Sequence, residues 1–167
     1  MIGRTEIKDD VPTACTDGKN TYYGREFVDK LSEAHVKGIV LHENLHKAFR
    51  HTTVWKHLYK EHAQLANMAC DFVINQMIID SDTGGKEVGL PESALLDPKY
   101  RGWDAGSVYR DLKQQAEQGS VHVKTVGDPN GSDVPVEKGR TYVIGDGEGL
   151  DEHDWENAEA LSGEEKE

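Results

Sequence analysis

Apolar residues recur at three- and four-residue spacing along two stretches of the chain. In the first stretch these positions are Val36, Ile39, Val40, Ala48 and Phe49. Their spacing predicts a helix that begins after Ser32, a suitable N-cap, and ends at about Arg50. Gly38 weakens this helix by roughly 1 kcal/mol relative to alanine, and it leaves room for close packing. The second stretch, residues 63–80, is apolar on most sides and predicts a central helix.

Shorter segments connect these helices. A turn at Asp17-Gly18 leads into a β-prone stretch at residues 21–23, which feeds a short helix near residues 25–31. Residues 51–62 predict a partly helical connector.

The segment that follows the central helix is broken by proline and glycine. Residues 90–103 therefore predict a loop. Asp104 can then cap a helix over about residues 105–118, and Gly119 can end it.

The character of the chain changes after residue 119. The stretches "VHVKTV" (121–126) and "RTYVIG" (140–145) are rich in β-branched residues, and the turn formers "GDPNGSD" lie between them, which favours a β-hairpin. The last residues are acidic and poor in apolar side chains, as in a disordered tail or linker. We therefore expect a core over residues 1–119, a β-hairpin or insert over 120–148, and an acidic tail over 149–167 with an anchor at 151–155.

Composition restricts the class of function. The 167 residues carry a formal net charge of −12, which argues against binding to nucleic acid or to an anionic membrane. The two cysteines, Cys15 and Cys70, form no CxxC pair, so a reducing compartment is the simpler interpretation. The first residues contain no apolar signal region, and no apolar run approaches the length of a membrane span. We expect a cytoplasmic protein.

One short motif in the first helix carries the chemistry of a metal site. In "HENLH", His42 and His46 are four residues apart, so both imidazoles project from one face of the helix and can reach one metal ion. Glu43, one position further round, can hold and deprotonate a water on that metal. The alternative is a surface helix with two ordinary histidines, since short motifs also arise by chance. The apolar face that precedes the motif favours a buried, functional helix.

A catalytic zinc site needs a third protein ligand. The metzincin pattern requires glycine and histidine where this chain has Phe49 and Thr52, so that pattern is excluded. His51 lies five residues after His46, about 140° round a continued helix, and is expected to point elsewhere. Asp71 is a better candidate, because a carboxylate on an apolar helix costs several kcal/mol unless it is paired or binds a metal. A local cap or salt bridge at Asp71 is the alternative.

Asn67 and Asn75 flank Asp71 at four-residue spacing on the central helix. This spacing resembles the gluzincin arrangement, in which a second helix carries an acidic ligand and, four residues later, an acidic partner for a zinc histidine. Those two places correspond to Asp71 and Asn75 here. Aspartate is shorter than glutamate, so the two helices must approach closely.

Several stretches together resemble a metallopeptidase domain of the HExxH zincin type, found in bacterial and phage proteins and often joined to a von Willebrand A-like domain. The matching stretches are "TDGKNTYY" (16–23), "HENLHKAFRH" (42–51), "NMACDFVIN" (67–75), "LPESALLDPKYRG" (90–102) and "DEHDW" (151–155). HExxH alone is shared by many zincins, and its combination with "ACDFVIN" is more specific. The longer members carry a von Willebrand A-like domain that is not seen here, so we expect either a stand-alone version or a fragment that ends in a linker. Residues 120–148 show no recognisable resemblance.

The resemblance implies an α+β zincin fold and a zinc-dependent peptidase. His42, His46 and Asp71 would bind Zn²⁺, Glu43 would activate water, and the substrate would be a protein or peptide. A von Willebrand A-like domain or partner is also implied. His153 is a weaker candidate for carbonyl polarisation or metal binding, and Tyr23, or its neighbour Tyr22, for oxyanion stabilisation. Two other functions stay open, a metal-binding module without peptidase activity that recognises a partner protein, and a different metal-dependent hydrolase.

Overall fold

The computed structural model describes residues 3–16, 19–82, 84 and 87–136. These residues form a mixed α+β fold. Its helices are α1 (Arg25–Asp29), α2 (Glu33–Ala48), α3 (His51–Val54), α4 (Lys56–Ser81) and α5 (Ala105–Glu117), with a short 3₁₀ helix at Pro98–Tyr100. Its strands are β1 (Thr5–Lys8), β2 (Ala14–Thr16), β3 (Thr21–Gly24), β4 (Ser120–Val123) and β5 (Ser132–Pro135). Within the described ranges, no helix is both long enough and apolar enough to span a membrane.

The strands form two small sheets. In the first, β3 lies in the centre, parallel to β1 and antiparallel to β2. In the second, β4 and β5 pair antiparallel as a hairpin, with Val121 opposite Val134. The strand that pairs with β4 thus begins inside the segment that we expected to be the turn. The expected strand at 140–145 lies outside the described residues, as do the tail and its anchor at 151–155.

Helix α2 begins where the sequence predicts, because the Ser32 side chain accepts a hydrogen bond from the His35 backbone N–H at 3.2 Å. Gly38 lies against the backbone of another segment. A Cβ atom placed on Gly38 would lie 1.7 Å from the carbonyl oxygen of Gly89, a distance that no side chain can occupy. The glycine therefore permits the close packing expected from the sequence, and it fixes the approach of residues 87–90 to α2.

The expected connector is mostly helical. After the short helix α3, helix α4 begins at Lys56, well before the predicted start at residue 63. A kink at His62, whose φ is −156° and ψ is 92°, divides α4 into two parts. His62 Nδ1 accepts a hydrogen bond from the Leu65 backbone N–H at 3.4 Å, so this residue caps the second part as an N-cap would. The predicted helix at 63–80 corresponds to that second part.

Helix α4 contributes to two apolar clusters. The larger cluster packs α4 against α5 and β4, and includes Leu65, Met68, Phe72, Val108, Leu112 and Val121. The smaller cluster joins α4 to α2 and the first sheet, and includes Ala14, Tyr23, Ile39, Ile74, Ile78 and Leu90. Helix α5 is capped as expected, since Asp104 accepts a hydrogen bond from the Ser107 backbone N–H at 3.1 Å. The smaller cluster therefore holds α2 beside α4.

Candidate metal centre

Helices α2 and α4 bring two histidines and one aspartate together in the interior. The Nε2 atoms of His42 and His46 are 3.0 Å apart. Oδ1 of Asp71 lies 3.1 Å from His46 Nε2 and 3.7 Å from His42 Nε2. All three side chains are buried. Among the described residues, this is the group of metal-ligating side chains whose donor atoms converge.

The dimensions of this triangle fit a tetrahedral metal ion. Bonds of 2.0–2.1 Å at tetrahedral angles separate neighbouring ligand atoms by about 3.3–3.4 Å. The three measured separations, 3.0, 3.1 and 3.7 Å, lie on either side of that value. A small adjustment of side-chain torsions would therefore place one ion within bonding distance of all three atoms. Two imidazole nitrogens and a carboxylate oxygen are donors that suit zinc.

His42 is oriented by a chain of two hydrogen bonds. The Asn75 Nδ2 group donates to the Leu95 carbonyl oxygen at 2.9 Å, which turns the Asn75 Oδ1 atom towards His42. His42 Nδ1 lies 2.8 Å from that Oδ1 and, since an amide oxygen only accepts, must donate its proton there. The Nε2 atom of His42 is then left with a free lone pair, the form that binds a metal.

Burial keeps the histidines neutral. Burial lowers the pKa of His42 to about 4, and the neighbouring His46 acts in the same direction. Burial also lowers the pKa of His46 to about 3. With the proton of His42 on Nδ1, a neutral His46 can donate from Nε2 to the Nε2 lone pair of His42, 3.0 Å away. A metal ion bound to both Nε2 atoms would take the place of that proton, which would then lie on Nδ1 of His46.

Asp71 and Glu43 are the carboxylates of the site, and both are buried. No hydrogen bond reaches Asp71 Oδ1, while Asp71 Oδ2 accepts one from Asn67 Nδ2 at 3.4 Å. Neither carboxylate oxygen of Glu43 has a hydrogen-bond partner within the described structure. Burial raises the pKa of both groups above the usual carboxyl range, and the charge of Asp71 raises that of Glu43 further. Buried carboxylate oxygens without donors are stabilised by a bound cation.

His51 lies at the site, contrary to the expectation that it points elsewhere. Its Nδ1 atom is 3.2 Å from Nδ1 of His46, and its ring is buried. The expectation assumed a continuous helix through Arg50, but α2 ends at Ala48. Arg50 then takes the left-handed conformation, with φ 51° and ψ 42°, and this reverses the chain so that His51 returns to His46. Sequence periodicity gives no signal for such a reversal at an arginine.

Two of the weaker candidates, Tyr23 and Tyr22, lie on β3 of the first sheet. Tyr23 is buried in the smaller apolar cluster with Ile39 and Ile74. The ring of its neighbour Tyr22 lies under the Lys8 ammonium, 4.2 Å from the ring centroid. His153 lies outside the described residues.

The fold and the site define a mixed α+β protein with a buried His/His/Asp group that can hold a metal ion. Comparison with known families agrees with this description. The chain belongs to the family described as "Putative metallopeptidase domain", whose profile matches residues 2–167. No curated protein and no solved structure matches the chain.

Proposed function

We propose that this protein is a zinc-dependent peptidase of the zincin type, which hydrolyses peptide bonds in proteins or peptides. The observation that supports it most is the triangle of His42, His46 and Asp71, with Glu43 buried next in sequence to the first ligand. A catalytic zinc site uses three protein ligands and leaves the fourth position open. Three donors from two helices satisfy that requirement.

When bound, zinc would supply a water of pKa about 7 in place of 15.7 and would polarise the scissile carbonyl group. Glu43 is the general base in this proposal, because its carboxylate is held by α2 beside the ligands without a competing hydrogen bond. It takes a proton from the attacking water and passes that proton to the nitrogen of the leaving amine. Asn75 holds His42 in the tautomer that binds metal.

The metal also sets the ionisation of the base. Without a cation, burial and then the charge of Asp71 raise the pKa of Glu43 and favour its protonated form, while the Lys47 ammonium acts in the opposite direction. A divalent ion held by His42, His46 and Asp71 would favour the ionised form of both carboxylates. The general base is therefore available mainly in the metal-loaded protein.

Properties of the whole chain bear on its substrate, its compartment and its partner. A net charge of −12 disfavours nucleic acid as substrate and agrees with a protein or peptide substrate. The cysteine content favours the cytoplasm, and the family resemblance suggests a von Willebrand A-like domain or partner.

One observation favours a second candidate, a metal-binding module without peptidase activity. His42, Glu43, His46 and Asp71 are all less than 7% exposed, whereas a peptidase must admit a substrate carbonyl to the open metal position. The two candidates differ in whether Glu43 has a catalytic role.

The test measures zinc and hydrolysis on the same samples. Wild-type protein is expected to hold one zinc per chain, and His42→Ala or His46→Ala to lose it. Glu43→Gln keeps size and hydrogen bonding but not basicity, so it should retain zinc and lose cleavage of casein or a peptide library by at least the 10²–10⁴-fold typical of general-base catalysis. Equal cleavage by wild type and zinc-loaded Glu43→Gln would refute the peptidase mechanism. Zinc binding without cleavage by wild type would favour the binding module.

A further inference from the structure

The second ring nitrogen of His46 faces away from the metal triangle and has a partner of its own. Its Nδ1 atom lies 3.2 Å from Nδ1 of His51, and the two rings meet edge to face with centroids 5.0 Å apart. We propose that His51 is a positioning residue of the metal centre. It accepts the Nδ1 proton of His46 and thereby directs the Nε2 lone pair of His46 to the metal. This assignment rests on the proposed metal site.

Hydrogen-bond chemistry fixes the direction of this contact. Two Nδ1 atoms at hydrogen-bonding distance need one donor and one acceptor. A metal on Nε2 of His46 requires the proton of that neutral ring on Nδ1, so His46 is the donor. His51 must then be the acceptor and carry its own proton on Nε2. One hydrogen bond therefore sets the tautomers of both rings.

His51 is not an alternative ligand in this arrangement. The two nitrogens of an imidazole point in diverging directions, and His51 contacts the nitrogen of His46 that faces away from His42 and Asp71. Within the described residues, the convergent donor group contains His42, His46 and Asp71 without His51. The function left to His51 is to hold His46.

The two histidine ligands are then supported in the same way by different elements. His42 donates from Nδ1 to Asn75 on α4, and His46 donates from Nδ1 to His51 at the start of α3. Metal-binding histidines generally donate their second N–H to a fixed acceptor, and loss of that acceptor typically weakens metal affinity 10–100-fold.

The backbone at Arg50 shows what holds His51 in place. Among the described residues, Arg50 is the one non-glycine residue with positive φ, a conformation that residues with a side chain rarely adopt. It follows the last turn of α2, where glycine is usual. The Phe49 ring stacks on the His51 ring at a centroid distance of 5.6 Å and an angle of 20°, which keeps the returning ring against His46.

The experiment uses the zinc affinity of four full-length variants, measured by competition with a chelator. His51→Ala removes the acceptor. His51→Asn places Oδ1 at the same distance along the side chain as Nδ1, whereas His51→Gln places its oxygen one bond further. The exposed His57 on α4 supplies the control His57→Ala. Thermal unfolding of each metal-free protein reports its fold separately.

We expect His51→Ala and His51→Gln to bind zinc 10–100-fold more weakly than wild type. His51→Asn should recover most of that loss, and His57→Ala should match wild type. If His51→Ala does not fold, the Asn and Gln variants decide alone, because both keep a side chain of similar bulk.

Two results would refute the role of His51 while leaving the proposed metal site intact. One is a wild-type zinc affinity in His51→Ala, and the other is a zinc affinity of His51→Asn no higher than that of His51→Gln. Failure of the wild-type protein to bind zinc would instead refute the proposed metal site, and this assignment with it.

Discussion

Helix α4 has two faces with opposite character. On one face, Met68 and Phe72 pack against α5 in the larger apolar cluster, where each buried group gains contacts and loses water. On the other face, Asn67, Asp71 and Asn75 stand at four-residue spacing and turn towards the metal site. The same helix thus stabilises the fold along one side and buries polar groups at a cost along the other.

The contrast shows where stability and function are separated. Removing side chains from the apolar face should unfold the protein and leave the chemistry of the site unchanged in what remains folded. Removing the charge of Asp71 on the polar face should stabilise the metal-free protein and impair the chemistry of the site. The reason is that a buried carboxylate whose Oδ1 accepts no hydrogen bond destabilises the metal-free fold.

The largest expected effect is on the apolar face. Phe72 is 1% exposed and its ring lies 5.0 Å from that of Tyr100. Phe72→Ala should lower the free energy of unfolding by about 3–5 kcal/mol, measured by denaturant titration of the metal-free protein. Met77→Ala, on the same helix but exposed, should change it by less than about 0.5 kcal/mol. Similar losses in both variants would contradict the assignment of the core.

Asp71→Asn should have the opposite signature. Zinc affinity is expected to fall by more than the 10–100-fold of a supporting residue, while the metal-free protein becomes more stable. The pKa of Asp71 is raised by burial, so its ionised form destabilises the fold above that pKa. The gain from Asp71→Asn should therefore be largest at alkaline pH and fade as pH falls towards the ordinary carboxyl pKa. A less stable metal-free Asp71→Asn at pH 8 would show that this carboxylate is stabilising.

How far the sequence predicts this molecule depends on how local each signal is. The helix periodicities and the caps at Ser32 and Asp104 act within a few residues, and the structure reproduces them. The sequence also indicated close packing at Gly38, although its partner, Gly89, is far away along the chain. Asp71 was proposed as the third ligand from the cost of a lone carboxylate on an apolar helix and from the resemblance to the gluzincin arrangement, and the structure brings it to the HExxH histidines.

Two other features could not be predicted from spacing. The position of His51 depends on a left-handed residue at an arginine, which no propensity favours. The partner of β4 depends on tertiary pairing, so the turn-rich residues near 132 became a strand instead. The role of Asn75 as a hydrogen-bond partner of His42 was inferred by resemblance, and its anchoring by the Leu95 carbonyl is visible only in three dimensions.

Asn75 tests whether the polar face is tuned for metal binding. Asn75→Ala removes the acceptor for His42 Nδ1 and should weaken zinc binding 10–100-fold, or about 1.4–2.7 kcal/mol. Asn75→Asp keeps an acceptor at the same position but leaves the Leu95 carbonyl without its donor. We therefore expect Asn75→Asp to retain zinc and to be less stable when metal-free. Zinc binding by Asn75→Asp as weak as that of Asn75→Ala would show that an acceptor at this position is not sufficient to support His42.

The pH dependence of zinc binding is set by the carboxylates and not by the histidines. His42 and His46, with pKa values of about 4 and about 3, are already neutral near pH 7. The raised pKa values of Asp71 and Glu43 mean that zinc must displace protons from them, so affinity should decline as pH falls through those values. The decline should be about tenfold per pH unit for each proton displaced. Glu43→Gln should show a shallower slope than wild type, measured by calorimetry in buffers of different ionisation enthalpy, and identical slopes would exclude Glu43 from the coupling.

The smallest expected effect is at Arg50, where the backbone rather than a side chain is tested. A residue with a Cβ atom in the left-handed region costs roughly 1–2 kcal/mol, while glycine avoids that cost but loses about 0.5–1 kcal/mol in chain entropy. Arg50→Gly should therefore be more stable than Arg50→Ala by up to about 1.5 kcal/mol, since the two variants lack the same guanidinium and differ only in backbone freedom. Both variants should keep the zinc affinity of wild type, because the backbone turn at residue 50 still places His51 next to His46. Denaturant unfolding of the zinc-free proteins measures the difference. An Arg50→Gly protein less stable than Arg50→Ala would mean that residue 50 is not left-handed in solution. Backbone strain at residue 50 would then not add to the destabilisation that the buried carboxylates of the metal site already cause.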